Sequence, residues 1–289
     1  MQSDARQGIE RVVNMFGSCK ISLARLFAIA ATVAGLSMGS SAQAQNLITN
    51  GSFENFAGAN LSSQQLLQTG GTGTAYSGWS TTSGYGFIVT PNQAINGFNG
   101  PSGFLQLWSP NGTGVTGNGG SGSVAITASP DGGSFFTTDP IYPTTTGVLT
   151  TTVTGLVVGS TYTLSFYQAA GQQKNFDALS GFTNTWNVKA TDSNNQVDLN
   201  QNAAGMNVAN HSFTGWTQVT MAVVATTASM TLQFFASSSL NAGQPPFAML
   251  DGVSLTKNAS TAVPEPTAML LLGSAVAGLF GARRMRARR

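Results

Sequence analysis

Through the middle of the chain, apolar and polar residues alternate one by one, the period of a half-buried β-strand. In Tyr162-Thr-Leu164-Ser-Phe166-Tyr167 the residues Tyr162, Leu164 and Phe166 share one face. Met230-Thr-Leu232-Gln-Phe234 repeats the pattern, and Phe104-Leu105-Gln106-Leu107-Trp108 reads as a partner strand. Further strands are predicted over 123–128, 146–154, 185–191, 216–224 and 247–256. Gly155 and Gly159 mark a turn before the first central strand, and Thr226-Thr227-Ala228 reads as a hairpin turn. No long stretch repeats apolar residues at helical spacing. Short, regularly spaced strands with glycine-rich turns predict an all-β chain built as a single sandwich or jelly roll.

Both ends depart from this alternation. Arg6, Arg11, Lys20 and Arg25 precede an apolar stretch at 26–36, and Ala42-Gln43-Ala44 follows with small residues flanking a glutamine. That order predicts a cleavable export leader over 1–44, hence signal peptidase as a processing partner. The basic region is long for a leader, and a start at Met15 gives a more ordinary one. At the other end stands Val263-Pro264-Glu265-Pro266, where two prolines keep the backbone extended and open to a protease. The 16 residues 267–282 carry no formal charge and fall just under the roughly 17–25 of a membrane span. Arg283, Arg284, Arg286, Arg288 and Arg289 close the chain and are expected to stay cytoplasmic. A terminal helix packed on a globular body needs a polar face, and this one has none.

Counted by segment, the net charge of +2 divides unevenly. The first 25 residues hold four basic and two acidic groups, and the tail sets five arginines against Glu265. Between them seven carboxylates face only Lys174, Lys189 and Lys257. The predicted exported domain, 45–261, is therefore mildly acidic, which argues against nucleic acid as a partner because phosphate binding needs clustered Lys and Arg. The one cysteine, Cys19, lies in the leader, so neither disulfides nor thiolate chemistry are expected after export.

Candidate catalytic chemistry is sparse. His211 is the sole histidine, and no Gly-x-Ser-x-Gly elbow surrounds a serine. Gly117-Asn-Gly-Gly-Ser-Gly122 lacks the Lys-Ser/Thr of a phosphate loop. The seven acids form no pattern suggesting the paired carboxylates of a glycosidase. The chain is therefore expected not to be an enzyme. A sugar-binding site would offer an aromatic ring with amides and carboxylates around it. Tyr76-Ser-Gly-Trp79 and Thr82-Ser-Gly-Tyr85 lie in loop-like sequence, making Trp79 and Tyr85 the expected ligand platforms; a buried loop anchor is the competing reading of Trp79. Trp108 and Trp216 sit in strand patterns and read as core residues.

The tail, motif 263–266, apolar 267–282 and basic 283–289, resembles the PEP-CTERM sorting signal of Gram-negative bacteria that make exopolysaccharide. The resemblance implies export, a transient inner-membrane anchor, and cleavage near Pro264-Glu265-Pro266 by an exosortase. Within the domain, Asn50-Gly51-Ser52-Phe53-Glu54, Gly155-Leu-Val-Val-Gly159-Ser-Thr-Tyr162, Gly215-Trp216-Thr-Gln and Leu250-Asp251-Gly-Val253-Ser-Leu255 together are similar to the galactose-binding-like jelly rolls of carbohydrate-binding modules. Residues 57–139 depart with Gly/Asn-rich insertions, so the family's ligand loops do not map there. In such modules the first and last strands lie close and hold a structural calcium. Carried over, the resemblance implies Glu54 and Asp251 as ligands, with carbonyls completing the six to eight oxygens calcium takes; a surface carboxylate at Glu54 and a turn former at Asp251 are the alternatives.

Three functions follow. The first is a non-catalytic exported surface or matrix protein that associates with exopolysaccharide. The second is a structural matrix protein without a specific ligand, and the third a hydrolase whose carboxylates the sequence does not reveal.

Overall fold

Strands form over most of the segments where the alternation predicts them. The computed structural model describes residues 44–55, 66–68, 77–81, 85–96, 106–109, 125–141, 148–174, 181–240 and 245–259. The leader before Ala44 and the whole tail from 260 onward lie outside the described residues. Every described residue belongs to the unit that begins at Ala44.

Among the described residues, twelve strands and one short helix run in the order β1 (Leu66–Gln68), β2 (Ser80–Thr81), β3 (Tyr85–Val89), α1 (Pro91–Asn96), β4 (Phe135–Asp139), β5 (Val148–Thr154), β6 (Thr161–Gln172), β7 (Phe182–Asp192), β8 (Val197–Asn202), β9 (Met206–Val208), β10 (Thr217–Val224), β11 (Ser229–Ser238) and β12 (Pro246–Lys257). They make two antiparallel sheets. The first runs β1-β3-β4-β12-β6-β10, and the second β2-β5-β11-β7-β8, with β9 also pairing β7. Six of the eight predicted strands, those in β5, β6, β7, β10, β11 and β12, sit in long ladders.

In two of the predicted segments the described residues form no strand. Of 104–108, the described part meets the first sheet only at one bridge, Leu107 to Gln173. Of 123–128, the described part is irregular: Ile126 N–H donates to the Ser109 hydroxyl, and Thr127 C=O accepts from Trp216. In both, side-chain alternation reflects burial of Leu107 and Ile126 under a sheet, while side chains and single bridges satisfy the backbone. The helix was not predicted. It follows a capping box, Thr90-Pro91-Asn92-Gln93, in which Gln93 N–H donates to Thr90 Oγ1 and Thr90 N–H to Gln93 Oε1.

Apolar side chains fill both faces of the first sheet. Between the sheets, Leu164 and Phe166 of β6 and Leu250 and Leu255 of β12 meet Trp186 and Val188 of β7 and Leu232 and Phe234 of β11. Buried Trp186 donates its Nε1–H across the sandwich to Met249 C=O at 3.0 Å, which offsets the cost of burying its polar end. A second cluster lies on the outer face: Phe87, Phe135, Ala169, Phe247 and Met249 are covered by α1, Leu107, Ile126 and Phe213. Among the described residues, none covers the remaining outer face in this way, and the site described below lies there.

Candidate functional site

Asn50-Gly51-Ser52-Phe53 turns the chain back against its last strand. Asn50 and Phe53 take left-handed backbone angles, φ 52° and 54°. Asn is among the few residues that tolerate them, and here its amide clasps Asn55 at both ends, 2.8 and 2.9 Å. Gly51 C=O accepts from Val253 N–H at 3.0 Å. Any Cβ at Gly51 would collide with the Val253 carbonyl, so close approach to β12 demands glycine. Asn46 fastens the entry, its Oδ1 accepting from Ile48 and Leu255 N–H at 2.9 Å each.

This turn brings Glu54 toward Asp251, and a loop at 129–134 joins them. Glu54 Oε1 accepts from Ser134 N–H. The Ser129 hydroxyl donates to Asp251 Oδ2 at 2.6 Å, and Gly252 N–H donates to Oδ1 at 2.8 Å. Asp251 is 0% exposed. Burial pushes its carboxyl up to about 8, the negative charges of Asp131 and Glu54 add to the rise, and the two hydrogen bonds oppose it. Asp131 is the third carboxylate of the group. Sequence reasoning missed it, although Ser129-Pro-Asp-Gly-Gly-Ser134 is the kind of turn sequence that signals a tight loop.

The donor chemistry suits calcium. Every donor is a hard oxygen, and a fully buried carboxylate beside two more is a place where positive charge is lacking. Among the described residues, no three His, Cys, Asp or Glu side chains cluster tightly enough to hold a metal alone. A shell would therefore need carbonyl or hydroxyl oxygens besides the carboxylates.

An open groove of about 400 Å³ continues from this acidic corner over the uncovered outer face of the first sheet. Its walls present Asp131, Ser165, Tyr167, Gln218 and Ser254, with Asn46 at the rim. Ser165 and Tyr167 point away from the core because Leu164 and Phe166 point into it. Gln218 is the direct cross-strand partner of Tyr167 and shares its face. At Gly252 the β12 ladder skips register between Asp251 and Ser254, with φ at 57°. A Cβ there would lie 2.9 Å from Tyr167 Cδ2 and 3.1 Å from Asp131 Cβ. The bulge thus lets Tyr167 lie close over the backbone beside the acids.

Of the expected aromatic platforms, Trp79 is not in this groove. Trp79 is 3% exposed, packed at 5.1 Å on Phe53 and 6.0 Å on Phe234, with Nε1–H donating to Asn50 C=O. It is a buried anchor holding the Asn50 turn to the core, and it offers no ring face to a ligand. Tyr85 begins β3, paired with Asp139 and Gln68, rather than standing in a loop; its side chain lies outside the described ones. Trp108 is half-buried between the stacked His211 ring, at 4.1 Å, and Lys174 Nζ, at 5.8 Å. Trp216 meets Phe135 edge-on at 5.2 Å. Tyr167, which supplies the ring, was legible only as the outward member of an alternating strand.

Among the described residues, no helix is long and apolar enough to cross a membrane; 267–282 lies outside them. No curated protein matches the chain. Several solved structures match the chain at low similarity. The carbohydrate-binding module TmCBM61, solved with β-1,4-galactotriose, is 11% identical over 74% of this chain and 99% of its own, TM-score 0.34. The enzymatically active domain of bacteriophage CBA120 tailspike protein 4 is 11% identical over 74% of this chain, TM-score 0.34, and the match spans only 21% of that chain. The CBM22-1–GH10 modules of Clostridium thermocellum xylanase 10B, solved with xylohexaose, are 13% identical over 69% of this chain and 29% of theirs, TM-score 0.34. These scores say nothing of what this chain binds. One match is local and specific: residues 262–286 carry the PEP-CTERM protein-sorting motif, which implies export and membrane-associated sorting toward the cell surface.

Proposed function

We propose that this chain is an exported, exosortase-processed β-sandwich that binds exopolysaccharide without cleaving it, using the outer-face groove around Tyr167. The carrying observation is the groove itself, whose walls combine one aromatic ring with hydroxyls, an amide and a carboxylate on a rigid sheet. That mixture suits a sugar, whose C–H face packs on a ring while its hydroxyls meet polar side chains. The motif at 262–286 supports delivery to a surface where such polymers lie. The leader at 1–44 and the span at 267–282 complete the proposed route, with the mature protein released or held outside.

Calcium is part of the same proposal. Glu54 and Asp251 would be its carboxylate ligands, with Ser129 and backbone oxygens completing the shell and Asp131 adding negative charge beside it. The ion would supply positive charge, fixing the 129–134 loop against the first and last strands and so shaping one end of the groove. A hydrolytic reading has less support. Asp251 is the carboxyl with the raised proton affinity that a general acid needs, but it is wholly buried and both its oxygens are hydrogen-bonded within the protein.

The test is binding of the purified chain to a glycan array and to soluble bacterial exopolysaccharide. Tyr167→Ala and Gln218→Ala are each expected to weaken binding about tenfold or more, near 1.4 kcal/mol, with thermal melting unchanged. A chain that binds no glycan would leave the purely structural reading standing. Turnover of a polysaccharide, lost on replacing a carboxylate, would establish the hydrolase.

A further inference from the structure

The four outer strands of the two main sheet paths are not equally protected. Open edges expose unpaired N–H and C=O groups, and proteins blunt them with short strands, charges, prolines or bulges. Three edges here are blunted: β1 has 3 residues, β2 has 2, and β8 carries Asp198 opposite a register shift at Ala190/Thr191. The fourth is β10, eight residues long, Thr-Gln-Val-Thr-Met-Ala-Val-Val. It has no charge and no proline, and its register against β6 runs unbroken from Thr217–Gln168 to Val224–Thr161. Among the described residues, nothing pairs with its other side.

The end of this edge is also apolar. Val224 is 48% exposed, and the β5–β6 turn beside it exposes Val157 at 50% and Val158 at 62%. The turn is tied there by Gly159 N–H to Ala225 C=O at 2.8 Å and Ala225 N–H to Ser160 C=O at 3.0 Å. These three are among the four most exposed large apolar side chains described. A neutral strand and a valine cluster therefore form one continuous strip.

We propose that β10 is a self-association edge, on which a second copy of this chain pairs antiparallel to build a sheet continuous across a two-fold axis. The occupant follows from charge and symmetry. The domain is net acidic, with seven carboxylates against three lysines between residues 46 and 261, so two copies repel over most of their surface. None of those carboxylates lies on β10 or in the 155–160 turn. An antiparallel strand pair is self-complementary, as an isologous contact must be. Eight residues and three valines bury less than the roughly 1,200 Å² of a stable complex. The pair is therefore weak in dilute solution and forms where copies are crowded.

The pairing has a consequence for the groove. Gln218 of the groove lies on β10, next to the axis, and a two-fold normal to the sheet keeps both outer faces on one side. Two grooves then stand side by side on one surface, and a polymer can engage both at once. This consequence rests on the glycan reading above, whereas the pairing does not.

Sedimentation velocity of the full chain in a non-ionic detergent, across a wide concentration range, tests it. The protein mass is expected to rise toward twice the monomer's, reversibly. Thr220→Lys combined with Ala222→Lys, which sets like charges along the exposed side of the edge, is expected to raise the dissociation constant about tenfold or more. Thr231→Lys, on the outer face of the second sheet, is expected to leave it unchanged, and both variants to melt with the parent. A mass that stays monomeric at every concentration overturns the proposal, as does association in the double variant equal to the parent's. Neither result touches glycan binding by single copies.

Discussion

Asp251 concentrates the physical chemistry of the site in one side chain. Its carboxyl is buried, and burial together with the charges of Asp131 and Glu54 lifts it from 3.8 to about 8. Between those values the folded chain holds a proton that the unfolded chain has lost. Stability is then fully present at low pH, declines as pH rises through this window, and levels off above about 8. Asp192 works in the opposite direction and at lower pH. Burial pushes it up, but N–H groups of Gln196 and Asn194 and the Thr226 hydroxyl outweigh that and hold it below the usual carboxylate range. Melting temperatures of calcium-free chain are therefore expected to fall from about pH 5 to about pH 8, and Asp251→Asn to flatten the slope. Added calcium is expected to raise the melting temperature most at the alkaline end, where the proton no longer competes. A flat profile in the parent would show that Asp251 is not held protonated.

At the scale of the element, the β12 bulge decides where the groove can be. Gly252 takes φ of 57°, and its missing side chain leaves room for Tyr167 and Asp131. Gly252→Ala adds left-handed backbone strain, about 1–2 kcal/mol, and a methyl 2.9 Å from the Tyr167 ring. The denaturant midpoint is expected to fall by the equivalent of about 2 kcal/mol. Glycan affinity is expected to fall with it, because the ring must move. Unchanged stability would mean that the bulge relaxes freely. Long elements were legible in advance because a strand with one covered face must alternate, as β5, β7, β10 and β11 do, with β6 up to Gln168 and β12 from Asp251 onward. The described parts of the predictions at 104–108 and 123–128 misled for the same reason: they bury Leu107 and Ile126 against a sheet without forming a strand of it.

For the whole molecule, the order of the strands matters most. β12 is last in sequence yet central in the first sheet, bound by β6 along its length, by β4 at one end and by Asn46 and Leu47 at the other. The sandwich cannot close until the chain is complete to about Asn258, whose N–H donates to Thr161 C=O. Truncation after Ala259 is expected to leave thermal unfolding cooperative and nearly unshifted. Truncation after Pro245 is expected to abolish the transition, since β4 and β6 would lose their shared neighbour. Calorimetry distinguishes the two; cooperative unfolding of the shorter chain would refute a central role for β12.

The sequence by itself determined what is written in local order along the chain. Alternation made the class all-β, a charge-free stretch between Pro-Glu-Pro and five arginines marked the sorting motif, and the sole cysteine's position excluded disulfides from the domain. Only the tertiary structure decided which residues meet. Trp79 looked like a loop ring and is a core anchor, because Asn50 and Phe53, more than twenty residues earlier in the chain, close over it. Asp131 and Tyr167 carried no local mark, and joined Glu54 and Asp251 because four distant segments converge at one bulge. Periodicity records which face a residue turns inward; it does not record what another segment, far along the chain, places opposite the other face.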